Sequence, residues 1–135
     1  MHTLFRQADA LTSSVIGAAI EVHRHKGPGL IESIYEKCLL RELELRGHRT
    51  KNQLLVPIEY KGLVFEEPLR LDVIVEDCLV VENKVTEKIL PVHRAQLLSY
   101  LRLLNVPIGL IFNFRETRLK PDGIARIILE GADRP

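Results

Sequence analysis

Residues 69–100, LRLDVIVEDCLVVENKVTEKILPVHRAQLLSY, decide how this chain of 135 residues is to be folded. Leu69–Val75 and Leu79–Val85 are strand-like runs parted by the turn Glu76-Asp77-Cys78; Thr86–Pro91 is a loop. Val92–Leu104 then spaces Leu97, Leu98, Leu101 and Leu104 as one helical face, with Gln96 and Tyr100 four apart on another. Asp72 interrupts the first strand and Glu82 and Lys84 the second, although strand interiors disfavour Asp and Lys. A turn centred on Asp77 sets Asp72 opposite Glu82, where Cβ atoms lie about 4.5–5.5 Å apart and like charges repel. Lys84, two residues beyond Glu82, shares its face. A slip of one residue would move Asp72 and Glu82 to opposite faces.

Upstream, Leu11, Val15, Ala18, Ala19 and Val22 predict a helix over Ala8–His25. It ends in the basic run His23–Lys26, which either complements the helix dipole or awaits a phosphate. Gly27-Pro28-Gly29 breaks it. A second helix is expected over Leu30–Arg46, stopped by Gly47, with Ile31, Ile34, Cys38, Leu39 and Leu43 inward. Glu32 and Glu36, four apart, are neighbours on its surface, and Glu32 alone is explained by the dipole. Gln53–Tyr60 is a strand with Pro57 marking an edge or bulge, and Lys61-Gly62 turns into Leu63-Val64-Phe65 before Glu66, Glu67 and Pro68 interrupt. Downstream, Asn105 stops the last helix, and Val106–Phe114 is an apolar strand covered on both faces. Arg118–Gly123 turns, Ile124–Leu129 is a last strand, and Glu130–Pro135 frays. The order predicts one α/β domain over residues 1–135, a central mixed sheet flanked by helices.

Composition sets the outer bounds. The chain is 46% hydrophobic and 27% charged with a formal net charge of +1, a soluble globular balance in which nucleic-acid binding would need a local basic patch. No apolar run approaches the roughly 20 residues of a membrane span, and the N-terminus shows no secretory apolar region. Cys38 and Cys78 lack metal-ligand spacing, which fits reduced thiols in a cytoplasmic protein.

Two carboxylates held together are relieved by a shared proton or a cation, and oxygen ligands without paired His or Cys favour Mg²⁺ or Mn²⁺ over zinc. With Lys84 beside it, such a site suits phosphodiester hydrolysis by metal-activated water. The alternative is a solvated hairpin face carrying an ion pair between Lys84 and a carboxylate.

Asp72, nine intervening residues, then Glu82-Asn83-Lys84 resembles the D…E-x-K core of the PD-(D/E)XK nuclease superfamily. Gln96-Leu97-Leu98-Ser99-Tyr100 is similar to the QxxxY motif of its RecB-like and lambda-exonuclease-like branches. Gly29-Leu30-Ile31-Glu32-Ser33-Ile34-Tyr35 matches GxxExxY, the signature of a group of small prokaryotic proteins assigned to that superfamily. The likeness runs from about Ile16 to Ile128 and implies a restriction-endonuclease-like core. It implies Asp72, Glu82 and the backbone oxygen of Asn83 as metal ligands, Glu32 as an added acidic ligand, and Lys84 as the catalytic lysine. Gln96 and Tyr100 would border the site and orient Lys84 or the substrate phosphate, and Tyr35 either packs its ring or joins them. Leu71 stands where the motif often has proline, and the four-cysteine set of some relatives is missing. No DNA-binding appendage is visible. His93, Arg94, Arg115, Arg118, Lys120 and Arg126 offer a basic rim. Two functions follow: a nuclease acting on nucleic acid, DNA before RNA, or a non-catalytic interaction domain working in a homo-oligomer or protein complex through the strand Val106–Phe114. Nothing resembles GxSxG, a Walker loop or HExxH.

Overall fold

The computed structural model describes residues 1–66 and 69–135. The interruption expected over Glu66–Pro68 falls largely on Glu67 and Pro68, which lie outside the described residues. Helices α1 (Phe5–Lys26) and α2 (Glu32–Leu45) come first, then strands β1 (Thr50–Val56), β2 (Glu59–Tyr60), β3 (Leu63–Val64), β4 (Leu69–Val75) and β5 (Leu79–Lys84). Helix α3 (Pro91–Leu104) leads to β6 (Ile108–Asn113) and β7 (Ile124–Ile128). The main sheet has the order β1-β4-β5-β6-β7. Only β5 and β6 run parallel among its pairs, as the helical crossover α3 allows. No described helix is long and apolar enough to cross a membrane.

Two apolar clusters cover the two faces. Ala8, Val15, Ala18, Ala19 and Val22 of α1 and Tyr35, Leu39 and Leu43 of α2 pack with Val73, Val75, Leu79, Val81, Ile108, Leu110 and Phe112. On the other face Leu97, Tyr100 and Leu101 of α3 meet Leu71, Ile74, Val80 and Ile111.

The hairpin register is the one expected, with Val73 opposite Val81, Ile74 opposite Val80 and Val75 opposite Leu79. Glu76 and Asp77 both take positive φ, and the Cys78 N–H closes the turn on the Val75 carbonyl at 3.0 Å. Asn105 ends α3 in the left-handed conformation, as its side chain tolerates. Strand β6 is buried along its whole length, covered on both faces.

Four expectations are corrected. Helix α2 buries the four-spaced stripe Tyr35, Leu39, Leu43, whereas Ile34 is exposed and Ile31, which precedes the helix, is 66% exposed. Pro57, without an N–H, follows the edge strand β1, as the edge alternative expected, but it ends that strand, so the strand expected over Gln53–Tyr60 is two elements. Its second half joins Leu63-Val64 in a separate hairpin turning at Lys61-Gly62, both at positive φ, with Tyr60, Leu63 and Val64 exposed. The C-terminal tail is packed: Ala132 is buried, and its carbonyl accepts the His2 N–H at 2.9 Å. The interface proposed for Val106–Phe114 is not available, because that strand lies between β5 and β7 with its side chains inside.

Candidate active site

The β4–β5 ladder opens at Asp72 and Glu82. The last pair is Val73 with Val81, and beyond it side chains replace backbone pairing. Glu82 Oε1 accepts the Asp72 N–H at 3.3 Å, and Asp72 Oδ2 accepts the Asn83 N–H at 2.9 Å. Two carboxylates are thus pinned side by side by the backbone of the opposite strand. Along a strand, a residue's N–H and C=O point to the same edge, so the Asn83 carbonyl also faces β4 and Asp72.

Burial sets the electrostatics. Glu82 is 5% exposed, and burial, with the Asp72 charge next, pushes its pKa up to about 8. Burial also raises Asp72, against the Asn83 N–H and the charge of Lys84. The Lys84 ammonium stands 3.4 Å from Gln96 Oε1 and forms no ion pair with Asp72 or Glu82 among the described residues. A solvated hairpin face with a Lys84–carboxylate pair is therefore not what forms. The pair is enclosed and undercompensated, and its ionised form calls for a cation.

Helix α3 closes one side. Tyr100 is buried, and its hydroxyl pKa is raised by burial and then by the charges of Glu82 and Asp72, with Gln96 as hydrogen-bond partner opposing. Gln96, Tyr100, Lys84 and the carboxylate pair therefore share one neighbourhood. Helix α2 approaches from the other side: burial raises Glu32, and the Asp72 charge adds to it while Lys84 opposes. Among the described residues no three His, Cys, Asp or Glu side chains draw together tightly enough to hold an ion by themselves. Glu32 senses Asp72 across the site but does not complete a three-carboxylate cluster. The donors in place are Asp72, Glu82 and the Asn83 carbonyl, all oxygens, which fit a hard divalent ion.

Tyr35 packs. Its ring stacks on Phe114 at 4.5 Å and 5°, while its hydroxyl donates to the Gly27 carbonyl and accepts the Leu30 N–H at 3.1 Å. It fastens the Gly27-Pro28-Gly29 loop, where both glycines have positive φ, and so fixes where α2 and Glu32 begin. The Asn83 side chain is fully buried, and neither of its polar atoms has a partner among the described residues.

The basic rim is only partly free. Arg126 is paired with Asp9 at 2.6 Å, and His93 Nδ1 accepts the Leu90 N–H at 2.9 Å as α3 begins. Burial and the nearby Lys84 charge both lower the His93 pKa, which favours the neutral ring. His23 leaves the basic run at the end of α1, turning inward to place Nε2 2.7 Å from the Glu116 carbonyl.

Sequence reasoning assigned no role to Glu36 or Gln53. Gln53 Nε2 donates to Glu36 Oε1 at 2.7 Å, and Glu36 has its pKa raised by burial, with the Asp72 charge also contributing. The i, i+4 spacing of Glu32 and Glu36 was the available signal. Nothing in the residue type marked Gln53.

A family model described as the PD-(D/E)XK nuclease superfamily matches residues 9–127. No curated protein and no solved structure matches the chain. The match takes in most of α1 and all of α2, the opened hairpin and α3. The chain belongs to the PD-(D/E)XK nuclease superfamily.

Proposed function

We propose that this domain hydrolyses nucleic-acid phosphodiester bonds, DNA in preference to RNA, with Mg²⁺ or Mn²⁺ as its ion. Nucleases of the superfamily generally use divalent metals, and membership points to nuclease activity. The observation that carries the reading is the cross-linked pair of a buried Glu82 and a half-buried Asp72, with no ion-paired cation among the described residues and Lys84 close by on Gln96. A bound divalent ion supplies Lewis acidity, lowering the pKa of water and offsetting charge on a phosphate oxygen.

The chain's own residues do the rest. Asp72 and Glu82 present their carboxylates, and Asn83 its carbonyl, to one point at the open end of the hairpin. Glu32 adds negative charge from the α2 side. Lys84, turned onto Gln96, holds positive charge where a substrate phosphate enters and can donate to its oxygen. Gln96 fixes that ammonium, and Tyr100 walls the site from α3. The motif Gly29–Tyr35 and the pair Gln96 and Tyr100 support a closer kinship with the GxxExxY group and the RecB-like and lambda-exonuclease-like branches.

A second reading, an interaction domain in a homo-oligomer or protein complex, draws on the hairpin of β2 and β3, where Tyr60, Leu63, Val64 and the following Phe65 are exposed. One experiment separates the two. Labelled single- and double-stranded DNA and RNA are incubated with Mn²⁺ and wild type, Asp72→Ala or Lys84→Ala. Cleavage by wild type that both variants lose supports the nuclease and names its substrate. No cleavage together with no calorimetric Mn²⁺ or Mg²⁺ binding sinks it in favour of the interaction domain.

A further inference from the structure

A residue that no motif contains stands across from Asp72 on the neighbouring strand. In the β1–β4 pairing, Asn52 stands opposite Val73 and Leu54 opposite Leu71, so Gln53 stands opposite Asp72, yet that one pair is missing from the ladder. Gln53 has φ 51, a left-handed conformation that a side-chain-bearing residue holds only when its surroundings impose it. The pleat of β4 breaks at the same level. Leu71 packs in the cluster on the α3 face and Val73 in the cluster under α1 and α2, whereas strict alternation would put both on one face. At the kink Gln53 Nε2 donates to Glu36 Oε1 at 2.7 Å, one helical turn after Glu32.

We propose that Gln53 is a positioning residue for Asp72, its side chain anchored on Glu36 so that the kink in β1 frees β4 to turn the Asp72 carboxylate toward the Asn83 N–H. The same tether joins β1 to the helix that carries Glu32, so the two acidic elements of the site keep their spacing. The inference rests on the reading of Asp72 as an ion ligand, and it goes beyond that reading by assigning the device that aims the ligand. Glu36 serves in it as a hydrogen-bond acceptor, not as a source of charge.

Two variants test it, with readouts that need no substrate: amide hydrogen exchange at Asn83, the thermal midpoint, and Mn²⁺ titration by calorimetry. Gln53→Gly accepts positive φ without strain but removes the tether. Glu36→Gln keeps an acceptor for Gln53 and removes the charge. The expected result for Gln53→Gly is an unchanged thermal midpoint, Asn83 exchange about tenfold faster, and Mn²⁺ affinity about 10–100-fold weaker, the usual effect of losing a group that orients a ligand. Glu36→Gln should match wild type in Asn83 exchange and keep Mn²⁺ binding. Unchanged Asn83 exchange in Gln53→Gly overturns the proposal, as does a Glu36→Gln protein that loses Mn²⁺ as fully as Asp72→Ala. A wild type that binds no Mn²⁺ would count against the nuclease reading instead, and Asn83 exchange would still decide the role of Gln53.

Discussion

Asp72 and Glu82 are cross-wired through each other's strand: Glu82 Oε1 takes the N–H of Asp72, and Asp72 Oδ2 takes the N–H of Asn83, the residue that follows Glu82. Each carboxylate is fixed by the backbone that carries its counterpart. Rotating either one away leaves a backbone N–H of the opposite strand without its acceptor, so the fold holds the two charges together.

Burial of Glu82, with the Asp72 charge next, makes metal-free stability fall as pH rises. Glu82 is raised from 4.5 to about 8 in the folded protein, and Asp72 is raised as well. Below the lower value both folded and unfolded Glu82 are protonated, and no penalty arises. Between the two values the unfolded chain sheds a proton that the folded chain keeps, so folding weakens with rising pH, by at most about 1.4 kcal/mol per pH unit for one group. Melting in EDTA should show a falling midpoint through this window, and Glu82→Gln should flatten it. Added Mn²⁺ should raise the midpoint most at the alkaline end. A flat wild-type profile in EDTA would refute the enclosed, undercompensated pair.

Lys84→Ala should separate chemistry from binding. Among the described residues the lysine's one side-chain bond is the long contact to Gln96, so its loss costs the fold little. Cleavage should drop by about 10²–10⁴-fold, the range for removing a positioned acid–base or electrostatic group, while calorimetric Mn²⁺ affinity is kept or improved. Loss of Mn²⁺ binding in Lys84→Ala would contradict this division of labour.

Tyr35→Phe keeps the ring on Phe114 and deletes the hydroxyl that the Gly27 carbonyl and the Leu30 N–H share. Urea unfolding should report a loss of about 0.5–1.5 kcal/mol, the net worth of an ordinary hydrogen bond, since Gly27 is half-buried and Leu30 exposed. Because that loop sets the start of α2, cleavage should also weaken, through Glu32. A variant as stable as wild type would show that the hydroxyl does not fasten the loop.

Asn83→Leu carries the opposite sign. The Asn83 amide is buried with both polar atoms unpartnered among the described residues, a burden of about 1–3 kcal/mol that an apolar side chain of similar size removes. Stability in urea should rise by roughly 1 kcal/mol. Mn²⁺ binding should persist, since the backbone carbonyl, not the side chain, faces the site. A clear loss of stability would reveal a partner for the amide.

Much of this was legible because it rests on local rules. Turn residues and alternation predict the hairpin register, and that register brings Asp72 level with Glu82. Helical spacing put Gln96 and Tyr100 on one face, and the bulk and breadth of Val106–Phe114 implied a strand covered on both sides. The misreadings came where two local rules competed. Helix α2 offers two apolar stripes, Ile31-Ile34-Cys38 and Tyr35-Leu39-Leu43, and only the packing against α1 and Phe114 selects the second. The tail gave no sign of its docking, because Ala132 is small and its anchor, His2, lies at the other end of the chain. Gln53 was beyond reach for a deeper reason: glutamine has no preference for positive φ, and its partner Glu36 lies 17 residues away on another element.

The parallel ladder between β5 and β6 has a consequence for the order of assembly. The hairpin of β4 and β5 closes across a three-residue turn, and two-stranded hairpins form in about 1–10 μs. Leu79 meets Ile108 only after the chain has run through α3 and back, a non-local closure of the kind that sets slow folding rates. Asp72, Glu82 and Lys84 are therefore expected to meet early, and the wall that carries Gln96 and Tyr100 to arrive late. Pulsed hydrogen exchange during refolding should protect the Val73 and Val81 amides before those of Gly109 and Leu110. Simultaneous protection would argue for a single concerted step. Until the crossover docks, a newly made chain would hold its acidic pair and its lysine with no helix beside them.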